Sequence, residues 1–206
     1  MARPTDHVEL QDQLALRRCP HCSVARPLLA LKQKFSTDTH ANTLPRVWGV
    51  YVCQTCGGVV TAGTVYNWGL AVTELYPDYR TVDESIPDPA HSFLEQALET
   101  LAAPAGAVML AASAIDAMLK AKGFKSGSLY ARIDEAAGQH LITPEMAAWA
   151  HEVRLDANDQ RHADEDAPLP NAADARKCVN FALALAEFLF VLPARVARGR
   201  KNSGAR

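Results

Sequence analysis

Four of the five cysteines stand in two pairs of identical spacing, Cys19-Pro-His-Cys22 and Cys53-Gln-Thr-Cys56, and no other feature constrains the fold as tightly. Two intervening residues let one tight turn aim both sulfurs of a pair at a single point. Two such pairs supply the four thiolates of a closed tetrahedral site, the pattern of a structural Zn²⁺ rather than of a disulfide framework. A redox C-x-x-C needs only one pair and a βα setting, whereas the flanking sequence here is β-rich. Gly57-Gly58 follows the second pair and suits the positive φ that such a turn requires. Residues 46–52 (RVWGVYV) read as a strand delivering Cys53, residues 59–66 as its returning partner, and residues 70–75 as a third strand. Cys19, Cys22, Cys53 and Cys56 are therefore the expected metal ligands, structural Zn²⁺ the expected cofactor, and residues 1–76 a zinc ribbon. With four sulfurs available, His21 reads as an exposed knuckle residue. Cys178, in apolar helical sequence, reads as a small packed hydrophobe.

Composition changes after the ribbon. The segment YPDYRTVDESIPDP holds three prolines and shows no helical or alternating period, so residues 77–88 read as a linker. Charge separates along the chain: residues 1–80 carry +2, residues 81–194 carry −9, and residues 195–206 carry +5. An apolar content of 49% with 21% charged residues excludes general disorder, and the overall charge of −2 excludes a strongly basic nucleic-acid coat. The first residues carry charges and no apolar leader run. The longest candidate span, FALALAEFLFVL, has 12 residues and contains Glu187, against the roughly 20 a bilayer needs. A cytoplasmic protein with no membrane partner is expected.

Residues 89–198 read as about five helices by period and punctuation. The first shows Leu94, Ala97, Leu98 and Leu101 on one face. Pro104 opens the second, whose stripe is Val108, Ala112, Ile115 and Leu119. The third begins near Ser128 with Leu129, Ile133 and Ala136. Thr143 caps the fourth, which shows Met146, Trp149, Val153 and Ala157. The fifth begins at Asn171, carries Ala175, Val179, Ala182, Ala186 and Leu189, and ends before Pro193. Short loops favour antiparallel neighbours, so the expected class is α+β: a small N-terminal β zinc ribbon followed by an up-and-down α-helical bundle. Residues 199–206 form a basic, disordered tail. On the fourth helix Arg154, Asn158 and His162 recur every four residues along one stripe. Asp116 lies in the apolar stripe of the second helix and requires a partner, for which Arg154 is the expected choice.

Residues 86–196 resemble the domain-of-unknown-function 4145 family, itself similar to the HEPN superfamily of helical bundles. The family pattern is an Arg, two residues, Gly-Asn, and a His four residues beyond the Asn. WAHEVRLDANDQRH matches it with Arg154, Asn158 and His162, with Ala157 in place of the Gly. A second family motif, Arg-x-x-Glu, is replaced by Ser113 and Asp116. The resemblance implies an N-terminal zinc ribbon, a link to bacterial defence or mobile elements, and dimerisation through long helices. Phe181, Phe188, Phe190 and Leu192 supply apolar surface for such a homodimer. It also implies an alternative activity, metal-independent endoribonuclease cleavage, with Arg154 and His162 as the candidate catalytic pair. HEPN ribonucleases place four to six residues between that Arg and His, and this chain has seven. Acidic neighbours such as Asp156, Asp159 and Asp164 oppose a phosphate backbone. The favoured reading is a non-catalytic interaction or regulatory protein. RNA or DNA contact, including contact through Arg17, Arg18, Arg26, Lys32 and Lys34 of the ribbon, is the less favoured alternative.

Overall fold

The computed structural model describes residues 8–65, 69–162 and 168–203, with the side chains of 159–162 and 202–203 outside that description. The chain is α+β, a small antiparallel sheet followed by helices, and divides into two compact units, Met1–Arg80 and Thr81–Arg206.

In the first unit, strands β1 (Leu29–Thr37), β2 (Arg46–Cys53), β3 (Val59–Val65) and β4 (Glu74–Tyr76) lie in sequence order with every neighbour antiparallel. Side chains alternate across a strand, so β2 turns Gly49, Tyr51 and Cys53 to one buried face, and β3 adds Val60, Ala62 and Thr64. The segment before the sheet covers that face with Val8, Leu10, Leu14 and Leu16. Its backbone is tied down by bridges from Glu9 to Ala71 and Gln13 to Ala30, and the Tyr51 hydroxyl donates to the Gln11 carbonyl at 2.9 Å.

The strands leading to and from the second cysteine pair form where expected, with Tyr66 lying outside the described residues. The third expected strand, over 70–75, joins the sheet as a strand only at Glu74–Tyr76, while Ala71 forms an isolated bridge with Glu9. Strand β1 was not legible. A register shift between Leu31 and Gln33 breaks its alternation, and its outer half is exposed and carries Lys32 and Lys34, as edge strands commonly do.

The second unit contains α1 (Ala90–Glu99), α2 (Pro104–Ala121), α3 (Leu129–Gly138), α4 (Pro144–His162) and a long rod. The rod comprises α5 (Ala172–Ala186), a π turn (Glu187–Val191) and α6 (Leu192–Ser203). The starts follow their caps. Ser128 accepts from the Ala131 N–H, Thr143 Oγ1 from the Met146 N–H at 3.2 Å, and Asn171 with Asp174 closes a capping box. Helix α2 packs against α1, α4 and α5, and its expected stripe is buried together with Ala107, Ala111, Ala114 and Met118. On α4 the buried face is turned from the expected one: Ala147 and Ala150 join Val153 and Ala157, while Trp149 stays partly exposed and stacks on Phe181 at 4.8 Å.

Pro193 does not end the fifth helix. The π turn precedes it, and Leu192 N–H already bonds back five residues to Glu187 O, so the ladder is offset where proline lacks its donor. The helix therefore continues through Gly199 to Ser203, where a disordered tail was expected; residues 204–206 lie outside the described ones. This continuity makes Ala172–Lys201 a 30-residue helix that, like Pro104–Ala121, is long and apolar enough to cross a membrane by length and composition alone. Both helices turn much of that surface to the shared core, where Ile115, Met118, Phe181 and Leu185 are almost fully buried.

The segment read as a linker is shared between the units. Tyr79 packs on the sheet core and its hydroxyl donates to the Arg18 carbonyl, whereas Val82 and Ile86 are buried in the helical core.

Candidate metal centre and helical cleft

The two cysteine pairs adopt the same local geometry. Cys19 N–H donates to Val24 O at 3.0 Å and Ser23 N–H to Cys19 O at 2.9 Å; in the second pair Cys53 N–H donates to Gly58 O at 3.0 Å and Gly57 N–H to Cys53 O at 2.8 Å. The residue after each second cysteine has positive φ, 57° at Ser23 and 71° at Gly57. Glycine meets that demand without strain, and Ser23 meets it without being a glycine. Gly58 has no positive φ, which corrects the expectation that both glycines serve the turn. Its missing side chain makes room instead: an added Cβ would stand 2.5 Å from the His21 ring. His21 Nε2 bonds the Val59 carbonyl at 2.7 Å, and a carbonyl only accepts, so this nitrogen carries the proton. His21 thus ties the first knuckle to β3 and leaves the sulfurs to form the cluster.

All four Sγ atoms lie within 4.8 Å of one another, and Cys19 and Cys56 are 3.9 Å apart. A tetrahedron with metal–sulfur bonds of about 2.3 Å has edges of about 3.8 Å, so the four residues fit one metal ion. Cys19 and Cys53 are buried, Cys22 is half-buried and Cys56 exposed. Burial pushes the Cys19 thiol up to about 12. At Cys53 burial acts in the same direction, but the Cys56 and Thr55 N–H groups and the neighbouring thiols outweigh it and bring the group to about 7. The raised Cys19 thiol is the one that most needs a nearby positive charge to ionise, and a bound cation would supply it.

In the helical unit, a cleft of about 750 Å³ is lined by residues of α2, α3 and α4 together with Asp88, Pro89 and Phe93. Asp116 lies in it, and its partner is Arg132 rather than the expected Arg154. Arg132 Nε and Nη2 approach Asp116 Oδ1 at 2.8 and 2.6 Å, and Lys120 Nζ approaches Oδ2 at 2.6 Å. Arg132 Nη1 also donates to the carbonyls of Ser126 and Gly127, so this buried guanidinium is spent on holding the α2–α3 connection. A signal for it existed: Arg132 falls between Leu129 and Ala136 on the apolar stripe of α3, where a cation needs a buried counter-charge.

Arg154 and Asn158, one turn apart on α4, both line the cleft. The Arg154 guanidinium lies 5.4 Å from the Tyr130 ring centroid, and its Nε is buried with no hydrogen-bond partner. Tyr130 stacks on its other neighbour, His151, at 4.6 Å, and His151 Nε2 meets Asp134 at 2.9 Å. Helix α4 reaches His162, but that side chain lies outside the described residues, as do those of Asp159 and Asp164. Ser113 lines the same cleft and donates to the Met109 carbonyl at 2.9 Å. Cys178 is fully buried; burial first, then Asp156, pushes its thiol up to about 12.

These features define a two-unit α+β protein with a four-cysteine centre able to hold a metal ion and a helical unit bearing a polar cleft. The family described as "Domain of unknown function (DUF4145)" matches residues 95–202, just over half of the chain, and the protein belongs to that family. No curated protein and no solved structure gives a significant match.

Proposed function

We propose that this chain is a non-catalytic interaction or regulatory protein whose first unit is a zinc ribbon and whose second is a HEPN-like bundle. The observation that carries the reading is the four-sulfur centre. Four protein ligands complete a tetrahedral shell and leave no position for a reacting water, and an all-thiolate set favours Zn²⁺ among the common divalent ions. Zinc there holds the fold and performs no turnover. In the cleft the Asp116 carboxylate is held by two cations, Arg132 and Lys120, which suits a recognition surface better than an acid–base pair. A cytoplasmic setting agrees with apolar helices that face a shared core.

The same reading makes the protein a homodimer. Phe188, Leu192 and Val196 form an exposed apolar stripe along the rod, whereas Phe181 is buried and Phe190 packs on the core, so only part of the surface anticipated for dimerisation is free. A second reading, metal-independent endoribonuclease, is favoured by one observation: Arg154, with its unpartnered Nε, lines an open cleft rather than being tied into the bundle.

Incubating the purified chain with mixed RNA in EDTA separates the two. No cleavage supports the interaction protein. Cleavage abolished by His162→Ala, with the helical circular dichroism unchanged, overturns it. Light scattering at about ten micromolar checks the dimer.

A further inference from the structure

We propose that the cleft between α2, α3 and α4 recognises a carboxylate carried on an apolar body, with Arg154 as its anchor; this rests on the reading of the protein as an interaction module. Among the described residues, the charged ones lining the cleft are three cations, Lys120, Arg132 and Arg154, and two carboxylates, Asp88 and Asp116. Two of the cations are committed to Asp116, and Arg132 is further committed to backbone carbonyls. Arg154 is the remaining one. Among the described residues it has no ion-pair partner, its Nε–H is shielded from solvent without an acceptor, and the Tyr130 ring braces its guanidinium. That Nε–H is closed to solvent-sized atoms, so a planar anion bound in the cleft would meet the guanidinium through its outer Nη groups.

Charge and shape select the anion. Among these described residues one cation is in excess, which a singly charged carboxylate would neutralise. A phosphate dianion would leave surplus negative charge beside Asp88 and Asp116. Phe93, Leu129, Ala117 and Ala157 line the walls, and about 750 Å³ accommodates a body the size of a phenylalanyl group with water to spare. Asn158, one turn beyond Arg154, adds an amide at the exposed end, suited to a peptide or amide group next to the carboxylate. Such a ligand is either a free acid or the C-terminal residue of a partner chain; both present the same chemistry to Arg154.

The test is calorimetric titration of the full chain with N-acetyl-phenylalanine, with its C-terminal amide, with inorganic phosphate, and with a hexapeptide ending in phenylalanine. The acid is expected to bind about tenfold more tightly than the amide and than phosphate, and Arg154→Gln to remove about the same factor. Tyr130→Leu, at a largely exposed position, should weaken the acid by a smaller factor and guards against a fold defect in the first variant. If the hexapeptide binds more tightly than the acid, the source is a chain terminus; if it binds no better, a free acid is the ligand. Equal binding of acid and amide, tighter binding of phosphate, no binding of the acid, or unchanged binding by Arg154→Gln overturns the proposal. Cleavage of RNA in the earlier assay would overturn the interaction reading instead, so the two failures are distinct.

Discussion

In the sheet unit the largest fully buried side chains are few, Leu14, Leu29, Tyr51 and Val60, and two of the buried groups are the sulfurs of Cys19 and Cys53. The helical unit buries Leu94, Ile115, Met118, Leu119, Ile133, Phe181 and Leu185 in one continuous cluster that contains a single isolated thiol, Cys178. Apolar burial contributes about 25 cal/mol per Å², and a core as thin as the first leaves little margin over chain entropy. The contrast teaches where each unit can draw its order: the first from four cysteines placed to join two knuckles through one metal ion, the second from helix faces that exclude water.

The strongest way to break that contrast is to remove the ion. Chelation at neutral pH, or Cys53→Ser, is expected to unfold the sheet unit while the helical unit persists. Metal bound by a structural site of this kind is worth about 10 kcal/mol or more in small zinc domains, which exceeds what a thin core supplies. Near-ultraviolet signals of Tyr51 and Trp48 should collapse while helical circular dichroism is largely kept, and metal analysis should give one ion per chain before treatment. Retention of the sheet signals after complete metal loss would show that the apolar core alone suffices.

How much of this was legible in the sequence follows from the range of the interactions. The cysteine pairs, Ser128, Thr143 and Asn171 act on neighbours within a few residues, and the structure places their turns and caps where the sequence implies. Strand β1 was missed because pairing, not its own pattern, defines it: the irregularity at Lys32 and the exposed outer half erase the alternation. The partner of Asp116 is Arg132 rather than Arg154: its place on the apolar stripe of α3 is the sequence signal, and the placement of α3 beside α2 turns that signal into a contact. Pro193 was read as a stop because a π turn leaves no local signature. Gly58 was read as a turn residue, although the ring of His21, 37 positions earlier, is what requires it.

Within the helical unit the two arginines of the cleft sharpen the same comparison between order and availability. Arg132 is embedded in the fold, so Arg132→Ala leaves Asp116 with Lys120 alone and two carbonyls without a donor; a loss of about 1–3 kcal/mol in urea unfolding is expected. Arg154→Ala removes a guanidinium that has no ion-pair partner among the described residues and gives up its contact with Tyr130, for a change below about 1 kcal/mol. A larger loss at Arg154 than at Arg132 would reverse their assignment as recognition and structural residues.

The smallest effect is expected where the helical unit begins. Asp83 Oδ1 accepts from Ser85 Oγ at 2.6 Å and from the Ser85 N–H at 2.9 Å, closing a turn whose Ile86 N–H bonds the Asp83 carbonyl and whose Ile86 side chain enters the core. Those two bonds, with the charges of Arg198 and Arg195 behind them, hold the carboxyl below its ordinary range. A carboxyl whose folded value is depressed contributes stability above its unfolded value and loses it as pH falls through the folded one. The helical unit of the wild-type chain should therefore lose more stability below about pH 4 than that of Asp83→Asn, while Ser85→Ala should shrink the difference. Because the group is largely solvated the increment is small, and the comparison is best read from helical circular dichroism, which acid release of the metal disturbs least. Identical acid profiles for wild type and Asp83→Asn would mean that the turn is held by the Ile86 anchor alone, and that even the entrance to this unit draws its order from apolar burial.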